Sequence, residues 1–309
     1  MALSPQPIDV ERTAIAIAYK NPKYIFREVL PEFKVGKRSF KWTEHSKQDS
    51  FTVPNTTVGR RGEINEVEFR GTRKDSSVVD QALTHVVPQD DIDNAAEGVD
   101  EVGNRTLETT KLLELARERR VADLVFNPDT YPAGNKTTLS GTSQWNDPAS
   151  NPVAAISEAL DGMFVRANII VMGQRVLSKL KVNSKIIQAI YPGAAGGLIT
   201  TQQLADLFEV EQIIVGRGWV NAGPKTKSGQ FTPTRLWGNH CALLYRADDI
   251  TSGDDITFGA TATFGNRIVK TWQPENRGLR EPTNIKVGES LRELIMCPDL
   301  GYFFQNAVA

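Results

Sequence analysis

The sequence predicts an α+β fold with an extended outline, and three stretches predict it. Residues 101–126 form one long helical run without proline. Residues 35–75 have the pattern of a long two-stranded excursion around a polar, glycine-containing tip. Residues 151–246 alternate helical and strand patterns, and long β segments follow them towards the C-terminus. A long helix, a projecting hairpin and an α/β unit together are typical of a protein whose function is contact with other protein chains and not catalysis.

The composition of the chain is that of a globular protein, and its net charge gives no sign of binding to nucleic acid or membrane. The 309 residues are 40% hydrophobic and 24% charged, and the net charge of −1 predicts no special attraction to nucleic acid or anionic membrane. Cys241 and Cys297 are too few for a disulfide framework or a zinc cluster. The first residues lack the pattern of a signal peptide, and no apolar run approaches the ~20 residues that span a bilayer. We therefore expect a soluble protein with two free thiols.

The first 34 residues are expected to form an arm. A short helical patch covers residues 9–19, and an apolar segment with little regular pattern lies between Pro22 and Pro31. Such a segment needs another surface to lie on, which this chain or a neighbouring chain would provide.

The excursion of residues 35–75 has one predicted arm at residues 35–43 and a second at residues 66–70, where Val67 and Phe69 alternate with charged residues. The polar stretch between the arms has little apolar content. An isolated hairpin of this length has only marginal stability in water unless it packs on another surface.

Acidic residues precede the long helix. Residues 76–103 carry seven carboxylates and no lysine or arginine, and the run after Pro88 indicates a short helix. A calcium loop is the sharper alternative there, but the glycine and the terminal glutamate of an EF-hand are not at the required positions.

The long helix at residues 101–126 has roughly six turns, with Asn104 or Thr106 as the expected N-cap. Spacings of three and four predict its buried face. The residues assigned to that face are Leu112, Leu113, Leu115, Ala116, Ala122, Leu124 and Val125.

A domain boundary is predicted in residues 127–150, which are rich in loop-forming residues. The pattern after it predicts a helix capped by Asn151, a buried strand at residues 167–172, a helix at 174–190 and a helix whose Thr200 and Gln203 have capping-box spacing. Further strands are predicted, and the apolar C-terminus must be buried. These strands cover residues 211–221, 235–246, 257–272 and 284–298.

No combination of residues indicates chemistry. His240 and Cys241 are neighbours in a predicted strand, so their side chains should point to opposite faces and not form a nucleophile–base pair. Gly216 and Gly218 follow a strand, but Asn221 stands where the dinucleotide fingerprint needs its last glycine. We therefore predict no catalytic residue, no bound cofactor and no metal site. An α/β enzyme that uses Cys241 or His240 is the alternative from another class.

The collinear order of these parts resembles the major capsid proteins of tailed bacteriophages with the HK97-like fold. The whole set carries the resemblance, and no single motif decides it. The segments are IAIAYKNPKYIFREVLPEFKV, LLELARERRVADLV, QWNDPASNPVAAISEAL, ANIIVMGQRVLSKL, LADLFEVEQIIVGRGWVN, RLWGNHCALLY and GYFFQNAV.

The resemblance implies a division of the chain into five parts. Residues 1–34 would be the N-terminal arm, and residues 35–75 would be the extended loop with its flanking strands. Residues 76–150 would belong to a peripheral domain that contains the long helix as its spine. Residues 151–250 would form an axial α/β domain, and residues 251–309 would return to the peripheral domain as long strands.

The resemblance also implies a function, which is self-assembly rather than catalysis. Hexamers and pentamers of this one chain would close into an icosahedral shell around double-stranded DNA, which they would contact non-specifically. Scaffolding and portal proteins, and in some members decoration proteins, would be partners; no membrane is implied. The protein would assemble in the host cytoplasm and reside in the virion. An encapsulin-like nanocompartment shell protein is the nearest alternative.

One contact between subunits is predicted from charge. Arg60 and Arg61 lie at the expected tip of the extended loop, and Asp90 and Asp91 belong to the acidic stretch. In the resembled fold the loop of one subunit overlies the peripheral domain of the next. We therefore expect these arginines to contact these aspartates on a neighbouring subunit.

Overall fold

The fold is described by a computed structural model, which covers most of the chain. The described residues are 8–19, 21–44, 56–58, 72–193, 196–223, 232–251, 255–275, 277 and 279–309. Its helices are α1 (Val10–Ala18), α2 (Phe26–Val29), α3 (Gln89–Asp93), α4 (Glu101–Val125), α5 (Pro152–Gly162), α6 (Gln174–Leu180), α7 (Ser184–Ile190) and α8 (Thr201–Phe208). Its strands are β1 (Glu32–Lys34), β2 (Ser39–Glu44), β3 (Thr72–Ser77), β4 (Val79–Val87), β5 (Lys136–Thr138), β6 (Ile169–Gly173), β7 (Gln212–Gly216), β8 (Trp219–Asn221), β9 (Pro233–Arg235), β10 (Cys241–Leu244), β11 (Gly259–Trp272), β12 (Thr283–Ile295) and β13 (Gly301–Gln305).

The four-stranded sheet has the order β1-β11-β12-β4. β11 and β12 form its long antiparallel centre and lie in the two long β segments that the sequence predicts. β4 is an edge strand that the sequence pattern does not predict. Valines and isoleucines of this sheet pack against α4 around Leu113. This packing joins the long helix to the sheet.

The five-stranded sheet has the order β5-β13-β10-β6-β7 and is buried on both faces. Along β6, Ile170 and Met172 face a core formed with α5 to α8, whereas Ile169 and Val171 face α4 and α2. A strand covered on both sides has to be apolar throughout, which explains the continuous apolar run that predicts it.

Two helix N-caps that the sequence predicts in this region are confirmed. The side chain of Asn151 accepts a hydrogen bond from the backbone N–H of Ala154, and Thr200 and Gln203 form the expected capping box. The helix predicted at residues 174–190 is wrong in one respect, because it is two helices. Asn183 interrupts it and caps α7 by accepting from the N–H of Lys185 at 3.0 Å.

The two predicted strands in residues 211–246 are each broken. Residues 211–221 contain β7 and β8, and residues 235–246 contain the end of β9 and then β10. Among the described residues, β8 and β9 pair only with each other, as a separate two-stranded sheet. The chain therefore leaves the five-stranded sheet after β7 and returns to it at β10.

The C-terminal stretch is divided between the two large sheets. The resemblance places residues 251–309 together in the peripheral domain. β11 and β12 do lie in the four-stranded sheet, but β13 pairs with β10 and β5 in the five-stranded sheet. Phe303 and Phe304 of β13 are buried on opposite faces there, which explains the strongly apolar terminus.

The buried face of α4 differs from the predicted one. Leu112 is 58% exposed, Ala116 is exposed and Leu115 is only half-buried. Leu113, Ala122 and Val125 of the predicted face are buried, as expected, and the helix also buries Val121 and a line of polar residues. Its N-cap is Asp100, whose side chain accepts from the N–H of Gly103, and not Asn104 or Thr106.

The apolar segment of the arm lies on its own chain. Ile25, Phe26, Val29 and Leu30 are buried against α4 and the five-stranded sheet. The surface that the apolar segment requires is therefore provided by this chain.

The described part of the excursion is a two-stranded sheet of β2 and β3, with Ser39 opposite Ser77 and Glu44 opposite Thr72. The first predicted arm at residues 35–43 corresponds to β2. The second arm at residues 66–70 lies outside the described residues.

Candidate assembly surface

His240 and Cys241 lie on opposite sides of the five-stranded sheet, as predicted. Cys241 is fully buried in the core beneath α5 to α8, and burial raises the pKa of its thiol. The ring of His240 packs 5.6 Å from the rings of Phe126 and Phe303, and its Nδ1 accepts from the N–H of Asn306 at 2.9 Å. Burial lowers the pKa of His240. These two side chains do not form a nucleophile–base pair.

The acidic turn of α3 contacts a cation of its own chain. The guanidinium of Arg280 lies 3.4 Å from the carboxylate of Asp90 and 3.2 Å from that of Asp93. Within the described ranges, no group of three or more His, Cys, Asp or Glu side chains could hold a metal ion. No helix in the described part of the chain has the length and apolarity needed to cross a membrane.

Most carboxylates in residues 76–103 have partners within the chain. Those with partners are Asp80 (with Arg38 at 2.8 Å, and Ser290), Asp90 and Asp93 (Arg280), Asp100 (the N–H of Gly103, 2.9 Å) and Glu101 (Arg105, 2.6 Å). Asp91 and Glu97 are exposed and form no ion pair with the described residues. Of the predicted contact, Asp90 is therefore already engaged and Asp91 is available. Arg60 and Arg61 lie outside the described residues.

Charged residues lie buried in the middle of α4, where Glu114, Arg117 and Glu118 form what we call the polar centre. Glu118 is fully buried. Its carboxylate accepts from the backbone N–H groups of Ile25 at 3.1 Å and Phe26 at 2.9 Å, and from the indole N–H of Trp237 at 2.6 Å. One side chain thus joins the arm, the spine helix and the strand connection that carries Trp237.

Burial raises the pKa of Glu118 above its usual value. The donors from Trp237, Ile25 and Phe26 act in the opposite direction, because they stabilise the charged carboxylate. Desolvation is the largest cause, so proton binding to Glu118 is more favourable in the folded chain than in the unfolded one.

The other two members of the polar centre bind the arm and β11. The carboxylate of Glu114 accepts from Arg27 at 2.9 Å and from Arg267 at 3.4 Å. The guanidinium of Arg117 pairs with Glu32 at 2.7 Å. Both arm partners follow the segment that Glu118 holds and lead into β1, so the polar centre fixes the direction in which the chain enters β1.

Sequence reasoning missed the polar centre, although a signal for it is present. Thr106, Thr110, Glu114 and Glu118 recur every four residues, which places them on one helix face. The two threonine hydroxyls donate to the carbonyls of the preceding turn, at 2.8 Å each, and so are satisfied when buried. A repeated polar spacing inside a long helix thus marks a buried stripe.

The edge strand β4 presents apolar side chains to solvent. Val79 is 41% exposed, Leu83 38% and Val86 40%. An exposed apolar edge is a template for contact with another chain unless something covers it. This edge, together with Asp91 and Glu97, which have no ion-pair partner in the described part of the chain, is the candidate assembly surface.

Two relatives with similar sequences are both major capsid proteins of bacteriophages. No protein-family model matches the chain. The chain is 45% identical over 311 residues to a major capsid protein of Pseudomonas phage JBD67, with 100% of both chains covered. It is 28% identical over 243 residues to a major capsid protein of Burkholderia phage BcepMu, with 77% of this chain and 76% of that protein covered.

Solved structures share the fold. A phage-related protein from Bordetella bronchiseptica RB50 superimposes with a TM-score of 0.75 at 23% identity, covering 98% of this chain and 99% of that one. The capsid structure of cyanophage P-SCSP1u gives a TM-score of 0.61 at 10% identity, covering 93% and 89%.

Proposed function

The chain belongs to the bacteriophage major capsid proteins and has their HK97-like α+β fold, and from this premise we propose how it builds a shell. It is a structural protein of the virion capsid whose copies associate into a shell. The observation that carries the assignment is the 45% identity along the whole length of a curated relative. We propose that hexamers and pentamers of this one chain close an icosahedral shell around double-stranded DNA.

The proposed domain roles follow the sheets. The four-stranded sheet and α4 would form the peripheral domain, and residues 151–250 would form the axial domain around the centre of each hexamer or pentamer. β13 and β5 would belong to the axial side, because they pair in the five-stranded sheet. Residues 35–75 would extend over a neighbouring subunit.

The proposed partners follow from that role. Scaffolding and portal proteins, and a decoration protein where present, would bind the shell during assembly in the host cytoplasm. Contact with packaged DNA would be non-specific and weak, which is consistent with a net charge of −1.

Assembly tests the proposal directly. The chain expressed alone or with its scaffold is expected to sediment as hexamers, pentamers or closed shells, because its apolar edge at β4 needs cover. Negative-stain imaging and sedimentation of the purified protein measure this. A homogeneous monomer at micromolar concentration, with and without scaffold, contradicts the proposal. Purified particles that contain a cargo enzyme instead of nucleic acid favour the nanocompartment alternative.

The proposed loop contact joins Arg60 and Arg61 of one subunit to the acidic surface of the next. We propose Asp91 as its principal partner and Asp90 as the weaker one, since Asp90 lies 3.4 Å from Arg280 of its own chain. An exposed ion pair contributes only about 0.2–1 kcal/mol. A shell repeats each contact many times, so the small contributions add.

Charge reversal is expected to weaken assembly at low salt. Arg60→Glu with Arg61→Glu, and separately Asp90→Lys with Asp91→Lys, place like charges against each other, and the combined swap restores attraction. Shell yield is measured for all three proteins from low salt to about 0.5 M, where screening is strong. Normal yield of the arginine reversal at low salt argues against the contact, and rescue by the combined swap identifies its partner.

A further inference from the structure

A half-open groove of about 260 Å³ lies between the arm, α4 and the two long strands. Its wall at β11 is the irregularity between Phe264 and Ile268, where Gly265 has a φ of +67°. Six charged side chains line it, four of them cationic. They are Arg27, Lys34, Arg117, Arg267, Glu32 and Glu289.

Arg117 lines this groove and has hydrogen-bond donors that are not satisfied within the described part of the chain. Its side chain is 2% exposed, its Nη1 pairs with Glu32 at 2.7 Å, and its guanidinium lies 4.5 Å from the ring centre of Phe26. Its Nε and Nη2 atoms are buried and have no hydrogen-bond acceptor among the described residues. A buried donor without an acceptor costs about 1–3 kcal/mol, and more when it is charged. The planar guanidinium matches the oxygens of a phosphate or carboxylate group.

Glu289 has one oxygen without a hydrogen-bond donor among the described residues, whereas Arg117 has two nitrogens without acceptors. Its Oε2 accepts from the Nε and Nη2 atoms of Arg267, at 3.0 and 2.9 Å, so its charge is paired. Its Oε1 is buried and has no donor among the same residues. The groove thus borders buried donors of Arg117 and a buried acceptor of Glu289 that the described residues leave unpaired, and its lining is net positive.

We propose that this groove binds one protonated phosphate-type anion, such as inorganic hydrogen phosphate. Small rotations of the two buried side chains would turn Nε and Nη2 of Arg117 towards its oxygens, and Oε1 of Glu289 towards its O–H group. Lys34, which is exposed at the groove, adds attraction for the anion. A fully deprotonated oxyanion such as sulfate lacks the hydrogen that Glu289 requires. All these residues belong to one chain, so the site does not depend on shell assembly.

The test is calorimetric titration of the purified full chain with inorganic phosphate, with chloride adjusted to hold ionic strength constant. We expect saturable binding of one phosphate per chain, and weaker binding of sulfate. Lys34→Glu is expected to weaken phosphate binding about tenfold or more, because it reverses a charge at the groove. Lys37→Glu is the matched control, since Lys37 is exposed nearby but does not line the groove, and it should leave the affinity within about twofold.

A second variant tests the acceptor. Glu289→Gln replaces the acceptor with a group that can donate, so the preference for phosphate over sulfate should fall or reverse. That ratio does not depend on a general loss of stability. The proposal is overturned by titrations in which phosphate binds no better than chloride, in which sulfate binds as tightly as phosphate, or in which Lys34→Glu and Lys37→Glu behave alike. The first of these results means that water alone fills the groove.

Discussion

Replacing Glu118 by alanine is expected to lower the free energy of unfolding by about 3–5 kcal/mol, enough to prevent shell formation. The substitution leaves three buried donors without an acceptor, namely the N–H groups of Ile25, Phe26 and Trp237. It also releases the arm from α4. Chemical denaturation of the isolated chain, followed by circular dichroism, measures the change. Sedimentation then reports the loss of shells.

Glu118→Gln is the matched control for this prediction. The amide keeps the shape and one acceptor oxygen, so the loss should be smaller, about 1–3 kcal/mol. Equal stability of the alanine variant and the wild type contradicts the assigned role of Glu118. A glutamine variant as unstable as the alanine variant shows that the carboxylate charge itself is required.

The raised pKa of Glu118 adds a pH dependence with a defined sign. Because the folded chain binds this proton more tightly than the unfolded chain, the contribution is fully present below the ordinary glutamate value of 4.5 and is lost as pH rises through the folded pKa. The stability of the wild type relative to Glu118→Gln should therefore increase as pH falls from neutral towards 4.5. A decrease over that range contradicts the assignment.

The parts of the fold that sequence predicts are those decided by neighbouring residues. The caps at Asn151 and Thr200 depend on side chains within three positions, and both form as expected. The opposite directions of His240 and Cys241 follow from strand geometry alone. The long strands β11 and β12 also appear where their pattern predicts them.

The parts that sequence does not predict depend on distant residues. Strand β4 carries exposed apolar residues without a clear alternation, and it is a strand because β12 pairs with it along nine positions. β13 enters the five-stranded sheet because β10 and β5 lie on either side of it. Neither pairing is visible in a local pattern.

In the candidate site, too, some features follow from neighbouring residues and others depend on distant ones. The acidic stretch at residues 76–103 is evident from composition, but the engagement of Asp90 with Arg280 joins residues 190 positions apart. Likewise, the carboxylates of Glu114 and Glu118 in α4 look solvated in the sequence. They are buried because the arm supplies backbone donors from about 90 residues earlier. Which charges remain free for a neighbour is therefore a property of the fold.

The face of α4 gives the second large prediction. Leu113→Asp is expected to prevent soluble folding, because Leu113 is 3% exposed among Val102, Ile285 and Val287. The substitution removes a buried leucine and places an unpaired carboxylate in an apolar core. The cost should exceed about 4 kcal/mol, which is a large share of the stability of a typical domain.

Leu112→Asp is the control at the adjacent position. Leu112 is 58% exposed, so the same substitution should change the free energy of unfolding by no more than about 0.5 kcal/mol. Soluble yield and thermal melting by circular dichroism compare the two variants, because both report folding rather than assembly. The face predicted from apolar spacing, which contains Leu112 as well as Leu113, requires Leu112→Asp to be as damaging as Leu113→Asp. A soluble, cooperatively melting Leu113→Asp protein contradicts the packing of α4 on the four-stranded sheet.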